Sequence, residues 1–135
     1  MRPLPLSDEL TQAFWDGAKT HRLMIQRCPR CRHWQHPPGL VCAACAAPDL
    51  AAEPVSGRGT LHAWTVLHDA PAPGFADRLP LIVAVVELAE QPGLMLSANL
   101  LDAAPGDLRL GLPVAVAFEE VTPEITLPQF RLEGR

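Results

Sequence analysis

Two Cys-x-x-Cys pairs, Cys28/Cys31 and Cys42/Cys45, stand ten residues apart in a chain of 135. Four thiols at this spacing suit one chemistry above others. Two residues between cysteines let a tight knuckle present both sulfurs to one ion, and two facing knuckles complete a tetrahedral thiolate shell around Zn2+. A closed four-sulfur shell leaves no position for water or substrate, so the expected ion is structural. Iron in a rubredoxin-type site is the alternative metal. A redox dithiol usually opens a helix after a strand in a βαβ context, and nothing around these pairs reads that way. His33 and His36 lie between the pairs and could serve as ligands, but four sulfurs already suffice.

The rest of the chain offers little for catalysis. Its serines are Ser7, Ser56 and Ser97, none in a Gly-x-Ser-x-Gly elbow, and no glycine-rich phosphate loop is present. A self-sufficient enzyme is not expected. Binding residues are easier to find. In the stretch 60–68, strict alternation puts Leu61, Ala63, Thr65 and Leu67 on one face and His62, Trp64, Val66 and His68 on the other. The first set reads as core; the second offers Trp64 and His68 to a ligand. The loop that follows, HDAPAPGFADRLP (68–80), is long for a hairpin and rich in proline, with Phe75 at its middle and Arg78 close by. Loops of this length in small barrels often carry function.

These residues need elements to hold them. Residues 7–19 read as a short helix with Ser7 as N-cap, Asp8 and Glu9 in the first turn, and Leu10, Phe14 and Ala18 on one face beside Trp15. Residues 21–27 feed the first knuckle as a strand, 33–36 return from it, and Pro37-Pro38-Gly39 turns before the second knuckle. Strands are expected at 60–68, 81–88, 94–101, 114–121 and 129–132, separated by APAPG, EQPG and APGD turns. Gly57 and Gly59 permit a sharp bend in the first of them. The expected architecture is mainly β: an N-terminal helix (1–20), a rubredoxin-like zinc ribbon (21–50) and a five-stranded OB-fold barrel (51–135).

Charge is unevenly placed. Residues 17–48 hold Lys19, Arg22, Arg27, Arg30 and Arg32 and no acid, whereas 49–135 hold twelve acids against five arginines. Arginines beside the knuckles offset the formal charge of about −2 on a zinc tetrathiolate. They also make Arg30 and Arg32, with Phe14 and Trp15 of the helix, the expected contacts to a partner. The net charge of −4 argues against a generic nucleic-acid binder. MRPLPLSDEL has no apolar signal region, and the longest apolar run, 79–86, is too short to span a bilayer. A cytoplasmic protein is expected, where paired Cys-x-x-Cys motifs hold metal more often than disulfides.

Three stretches together carry a family likeness: AFWDGAKTHRLMIQRCPRCRHWQHPPGLVCAAC, VSGRGTLHAWTVLHDAPAPGFADRLPLIVAVVEL, and LRLGLPVAVAFEEV with LPQFR. With the four cysteines, Pro37-Pro38, Ser56-Gly57-x-Gly59 and Gly111-x-Pro113-Val114 in order, the chain resembles the zinc-ribbon/OB-fold family long listed as the thirty-fifth domain of unknown function. The resemblance spans roughly residues 10–132. It implies a non-catalytic subunit that binds a thiolase-fold acyl-CoA enzyme, a thiolase or an aldolase, and helps hold the acyl-CoA, including steroid or fatty acyl thioesters. Under that reading the helix and ribbon meet the partner in a hetero-oligomer, and the 68–80 loop lies near the thioester arm. The competing reading is a nucleic-acid-binding module, which needs a basic barrel groove with stacking aromatics.

Overall fold

A computed structural model describes residues 2–134. In chain order the elements are α1 (Gln12–Lys19), β1 (Met24–Arg27), β2 (Trp34–Gln35), β3 (Ala51–Pro54), β4 (Arg58–Leu67), β5 (Leu81–Leu88), β6 (Met95–Leu101), β7 (Pro113–Glu120) and β8 (Thr126–Leu132). Single 3-10 turns fall at Ala76–Arg78 and Pro105–Asp107. Its regular secondary structure is mostly strand. A three-stranded sheet, β2-β1-β3, carries the knuckles, and β4-β5-β6-β8-β7 close into a barrel. Among the described residues the only parallel contact in the barrel is the short one between β6 and β8, at Leu100–Phe130 and Leu101–Arg131. Five strands in this order with one parallel closure form the expected OB-type barrel.

The helix starts later than Ser7. Asp8 diverts the chain into a turn: its carboxylate accepts the Thr11 N–H at 2.9 Å and the Thr11 hydroxyl at 3.0 Å. The Thr11 hydroxyl accepts the Asp8 N–H in return at 3.1 Å and the Asp8 carbonyl accepts the Gln12 N–H at 2.9 Å, a capping pattern that closes a turn over residues 9–11 and leads the chain into the helix. α1 therefore opens at Gln12. It ends where His21 takes a left-handed conformation at φ 58°, with the Arg22 N–H returning to the Gly17 carbonyl at 2.9 Å. That Schellman-like closure delays the following strand from residue 21 to Met24.

β3 had no counterpart among the expected strands. It pairs antiparallel with β1, from Met24–Pro54 to Arg27–Ala51. The ribbon's sheet thus runs four residues past the expected boundary at 50/51. The two sheets also share one core. Leu23, Ile25 and Trp34 of the ribbon lie in the same buried cluster as Leu61, Val86, Val114 and Phe130 of the barrel.

The alternation expected along β4 reverses partway. Leu61 pairs with Val86 and Ala63 with Val85, so His62 is an extra residue in a bulge. Leu61 is buried, but Ala63 and Thr65 are exposed, while Trp64 and Val66 pack against the core. Trp64 therefore faces inward, contrary to the sequence reading. One inserted residue exchanges the two faces of a strand because the side-chain period is two. Just before the bulge, Gly59 lies so close to the Glu87 carbonyl that a Cβ there would collide with it.

Candidate functional site

The four cysteines converge. Cys28 and Cys45 sulfurs are 3.6 Å apart, as are those of Cys31 and Cys42, and all four lie within 4.8 Å of one another. A tetrahedron with Zn–S bonds of about 2.3 Å has edges of about 3.8 Å, so the set fits a tetrathiolate ion. The two knuckles are built alike. Cys28 N–H donates to the His33 carbonyl and Arg32 N–H to the Cys28 carbonyl, at 2.9 and 3.0 Å. Cys42 N–H donates to Ala47 and Ala46 N–H to Cys42, at 3.0 and 2.8 Å. The residue after each second cysteine, Arg32 or Ala46, is left-handed, at φ 66° and 62°. Ala44 N–H points at the Cys42 sulfur at 3.3 Å.

Electrostatics at the knuckles lead the same way. The Cys31 N–H, helped by the Arg30 N–H and the Cys45 thiol, draws the Cys28 thiol down to about 6. Cys31 feels the His33 N–H, which favours its thiolate, yet desolvation and the neighbouring sulfurs push it up to about 12. Four thiolates this close need a cation between them. Bound metal would hold the two knuckles together through all four sulfurs and leave no reactive position.

A set of glutamines fixes the backbone around the four thiols. The Gln26 side chain donates to the Gly39 carbonyl at 2.9 Å and accepts the Gly39 N–H at 2.8 Å. Gln35 donates to Gln26 Oε1 at 3.1 Å and accepts the Ala43 N–H at 2.7 Å. The inter-knuckle loop is thereby tied to β1 and β2. These residues were not singled out from sequence. The available signal was the presence of uncharged polar residues within two very short strands, MIQR and WQ.

The expected ligand residues separate. His68 is exposed at the mouth of the 68–80 loop, Phe75 is half-buried at the start of its 3-10 turn, and Trp64 packs on the core. Arg78 donates to Glu119 Oε2 at 2.9 Å, and the same oxygen receives Arg2 at 2.8 Å. Glu119 Oε1 accepts Gln129 Nε2 at 3.1 Å. Burial pushes this carboxyl up, but bonds from Arg2, Gln129 and Arg78 outweigh it and hold Glu119 below the usual carboxylate range. One carboxylate thus secures the N-terminal segment and the long loop to the barrel. Arg78 also borders a 420 Å3 groove with Asn99 and Asp102.

Of the expected partner contacts, Phe14 and Trp15 meet edge-to-face at 4.8 Å, and Phe14 stacks on His36 at 5.4 Å. Burial lowers the His36 pKa, favouring neutral imidazole. Arg30 is exposed within its knuckle. Arg32 instead reaches Glu53 at 3.4 Å, and Arg27 joins that acid at 3.7 Å while lying over the Trp34 ring at 4.4 Å.

Three cross-strand rows on the outer face of the barrel sheet are Thr60–Glu87–Met95, Ala63–Val85–Ser97 and Thr65–Val83–Asn99. Their one charged residue, Glu87, is an acid and none is aromatic, so these rows offer neither the stacking nor the cations that single-stranded nucleic acid needs. Among the described residues no helix is long and apolar enough to cross a membrane.

Comparison with known proteins gives a consistent result. Residues 15–51 match the family described as ChsH2, rubredoxin-like zinc ribbon domain, and residues 52–119 match ChsH2, C-terminal OB-fold domain. The chain is 40% identical over 132 residues to a probable enoyl-CoA hydratase alpha subunit of Thermomonospora curvata, covering 97% of this chain and 40% of that one. It is 33% identical over 114 residues to the 3-oxo-4,17-pregnadiene-20-carboxyl-CoA hydratase alpha subunit of Mycobacterium tuberculosis, covering 84% and 35%. The chain therefore spans well under half the length of these two relatives. A solved structure described as the Ltp2-ChsH2(DUF35) aldolase superposes with a TM-score of 0.86 at 37% identity, over 96% of this chain and 98% of that one.

Proposed function

This chain belongs to the ChsH2 family of rubredoxin-like zinc-ribbon and OB-fold proteins, also called DUF35, and on that premise we propose that it is a non-catalytic subunit of an acyl-CoA enzyme. Its partner on this reading is a thiolase-like enzyme, an aldolase or thiolase. The observation that carries the reading is the near-complete superposition on a chain of the aldolase structure, which leaves almost nothing of either chain unmatched. The chain's own chemistry supports it. The four thiols would saturate one ion and leave it no open position, and among the described residues no serine hydrogen-bonds to a histidine.

The substrate of the complex is an acyl-CoA thioester, with a steroid or fatty acyl group; hydratase subunits acting on such CoA esters stand among the relatives. The subunit contributes to substrate binding through the 68–80 loop. There Arg78, held to Glu119 through Nη2, offers its remaining N–H donors to phosphate or carbonyl oxygen, Phe75 an apolar cover, and His68 a hydrogen bond. Trp64, turned into the barrel, has no part in this.

A tagged chain drawn from its native host, with mass spectrometry of what accompanies it, tests the partner. Recovery of a thiolase-fold enzyme in near-equal amount supports the reading; recovery of nucleic-acid proteins or of nothing removes it. Calorimetry of the purified complex with an acyl-CoA tests the substrate. Binding that weakens severalfold in Arg78→Ala supports the loop's role, and unchanged binding excludes it.

A further inference from the structure

Two grooves meet along α1. One, of about 270 Å3, runs between the helix and the ribbon, with Leu10, Phe14, Met24 and Leu40 in its walls. The other, of about 380 Å3, lies between the helix and the seam of the barrel where β6 and β8 part, with Trp15, Leu96 and Pro128 in its walls. Phe14, His36 and Pro38 line both, so the two form one depression. Its floor is ordered by contacts already described, the Phe14–His36 stack and the glutamine-held loop.

The rim is apolar and open to water. Leu40 is 80% exposed, Val41 beside it 49% and Leu10 41%. Among the described residues, four of the five large apolar side chains left exposed lie between residues 6 and 41. A small molecule seated in the depression meets only the inward side of Leu40 and leaves Val41, which lines neither groove, wet, whereas a protein surface covers floor and rim together. Large contiguous apolar patches of this kind mark interaction sites. Charge narrows the partner further. The residues lining the two grooves include Glu9 and Asp49 and no lysine or arginine.

Resting on the reading that this chain is an enzyme subunit, we propose that the face formed by α1 and the 36–41 loop is where the enzyme docks. The enzyme inserts an aromatic or branched aliphatic side chain into the depression and flanks it with lysine or arginine facing Glu9 and Asp49. A buried anchor with a charged rim is the usual division of labour in such interfaces, the anchor setting affinity and the charges setting approach and register. Of the four expected contacts, Phe14, Trp15, Arg30 and Arg32, this proposal keeps the two aromatic residues at the centre and moves the two arginines outside it. Arg32 is engaged by Glu53, and neither arginine lines the depression.

The test uses the enzyme subunit recovered with the wild-type chain, expressed alone and titrated against metal-loaded variants by biolayer interferometry. Leu40→Asp is expected to weaken binding at least tenfold. Glu9→Lys with Asp49→Lys is expected to slow association and reduce its salt dependence. Thr65→Asp, exposed on the outer sheet face, is expected to bind as wild type. Each variant must keep one equivalent of metal and the wild-type thermal midpoint, which Leu40 and Thr65 permit because both side chains stand in solvent. If Leu40→Asp binds normally, or Thr65→Asp is the variant that fails, the docking face is wrong while the subunit reading stands. If the wild-type chain self-associates and Leu40→Asp makes it monomeric, the occupant is a second copy and the proposal falls. If the wild-type chain binds no enzyme subunit, the subunit reading falls and takes the proposal with it.

Discussion

Gln91 completes the edge of the ribbon from the barrel side: its side-chain amide donates to the Trp34 carbonyl and accepts the Trp34 N–H, both at 2.9 Å. Trp34 belongs to the two-residue strand β2, whose outer edge would otherwise be bare, and Gln91 sits in the turn between β5 and β6. One side chain thus imitates a neighbouring strand and joins the two sheets. Gln91→Ala leaves a donor and an acceptor of a buried residue without these partners, at a cost of about 1–3 kcal/mol. Gln91→Glu keeps the acceptor and loses the donor, so it is expected to fall between. Urea unfolding of metal-loaded protein, followed by tryptophan fluorescence, measures both.

Glu119 gives the fold a pH dependence with a defined sign. Its folded pKa lies below the ordinary carboxyl value of 4.5, because the bonds from Arg2, Gln129 and Arg78 outweigh burial. A depressed acid contributes stability that is fully present above the unfolded pKa and is lost as pH falls through the folded one. The gap in unfolding free energy between wild type and Glu119→Gln is therefore expected to be constant at neutral pH and to shrink below about pH 4.5. At neutral pH the variant strands Arg2, whose side chain is only 6% exposed, and removing one partner of a buried pair costs about 3–5 kcal/mol. Limited proteolysis of the 68–80 loop is expected to quicken in the same variant, since Arg78 loses its anchor.

What the sequence disclosed and what it withheld divide along one physical line. The knuckles were legible because metal ligation imposes a local spacing, and LIVAVVEL was legible because a strand's burial is written in consecutive residues. The reversal of faces in β4 was not, since the bulge at His62 is defined only by its register against β5. The same holds for β3, whose AAEP reads as nothing until β1 lies beside it. Gln91 and Trp34 are 57 residues apart, and Arg2 reaches Glu119 across nearly the whole chain. Such pairs leave no pattern in a linear reading.

The bulge itself can be checked by substitution. Trp64 packs against the core after the face exchange, so Trp64→Ala is expected to cost about 3–5 kcal/mol. His62, exposed in the bulge, is expected to tolerate alanine within about 0.5 kcal/mol. A straight strand would instead bury Ala63 and Thr65 and make Thr65→Asp severely destabilising. Thermal unfolding of the three variants separates the two arrangements.

The knuckles carry a conformational cost that glycine would relieve. Ala46 holds φ 62° after the second cysteine of its pair, where a side chain is disfavoured by about 1–2 kcal/mol. Ala46→Gly removes that penalty but also frees the unfolded chain, so a net gain of about 0.5–1 kcal/mol is expected. Gly57, at φ 81°, is the opposite case: Gly57→Ala adds strain and drives a Cβ into Val116. The ion makes the two results readable separately from barrel stability. If the strain resides in the knuckle, Ala46→Gly should slow metal loss to a chelator as well as raise the thermal midpoint, whereas Gly57→Ala should lower the midpoint with little direct effect on the knuckle. Removing the metal outright is expected to do more than either substitution. Leu23, Ile25 and Trp34 share the barrel's core, so loosening the ribbon exposes barrel residues too. Chelation should shift tryptophan emission to the red and lower the unfolding midpoint of the whole chain in one transition, with recovery on adding back one equivalent of Zn2+. Two separate transitions would show instead that the shared cluster does not couple ribbon and barrel.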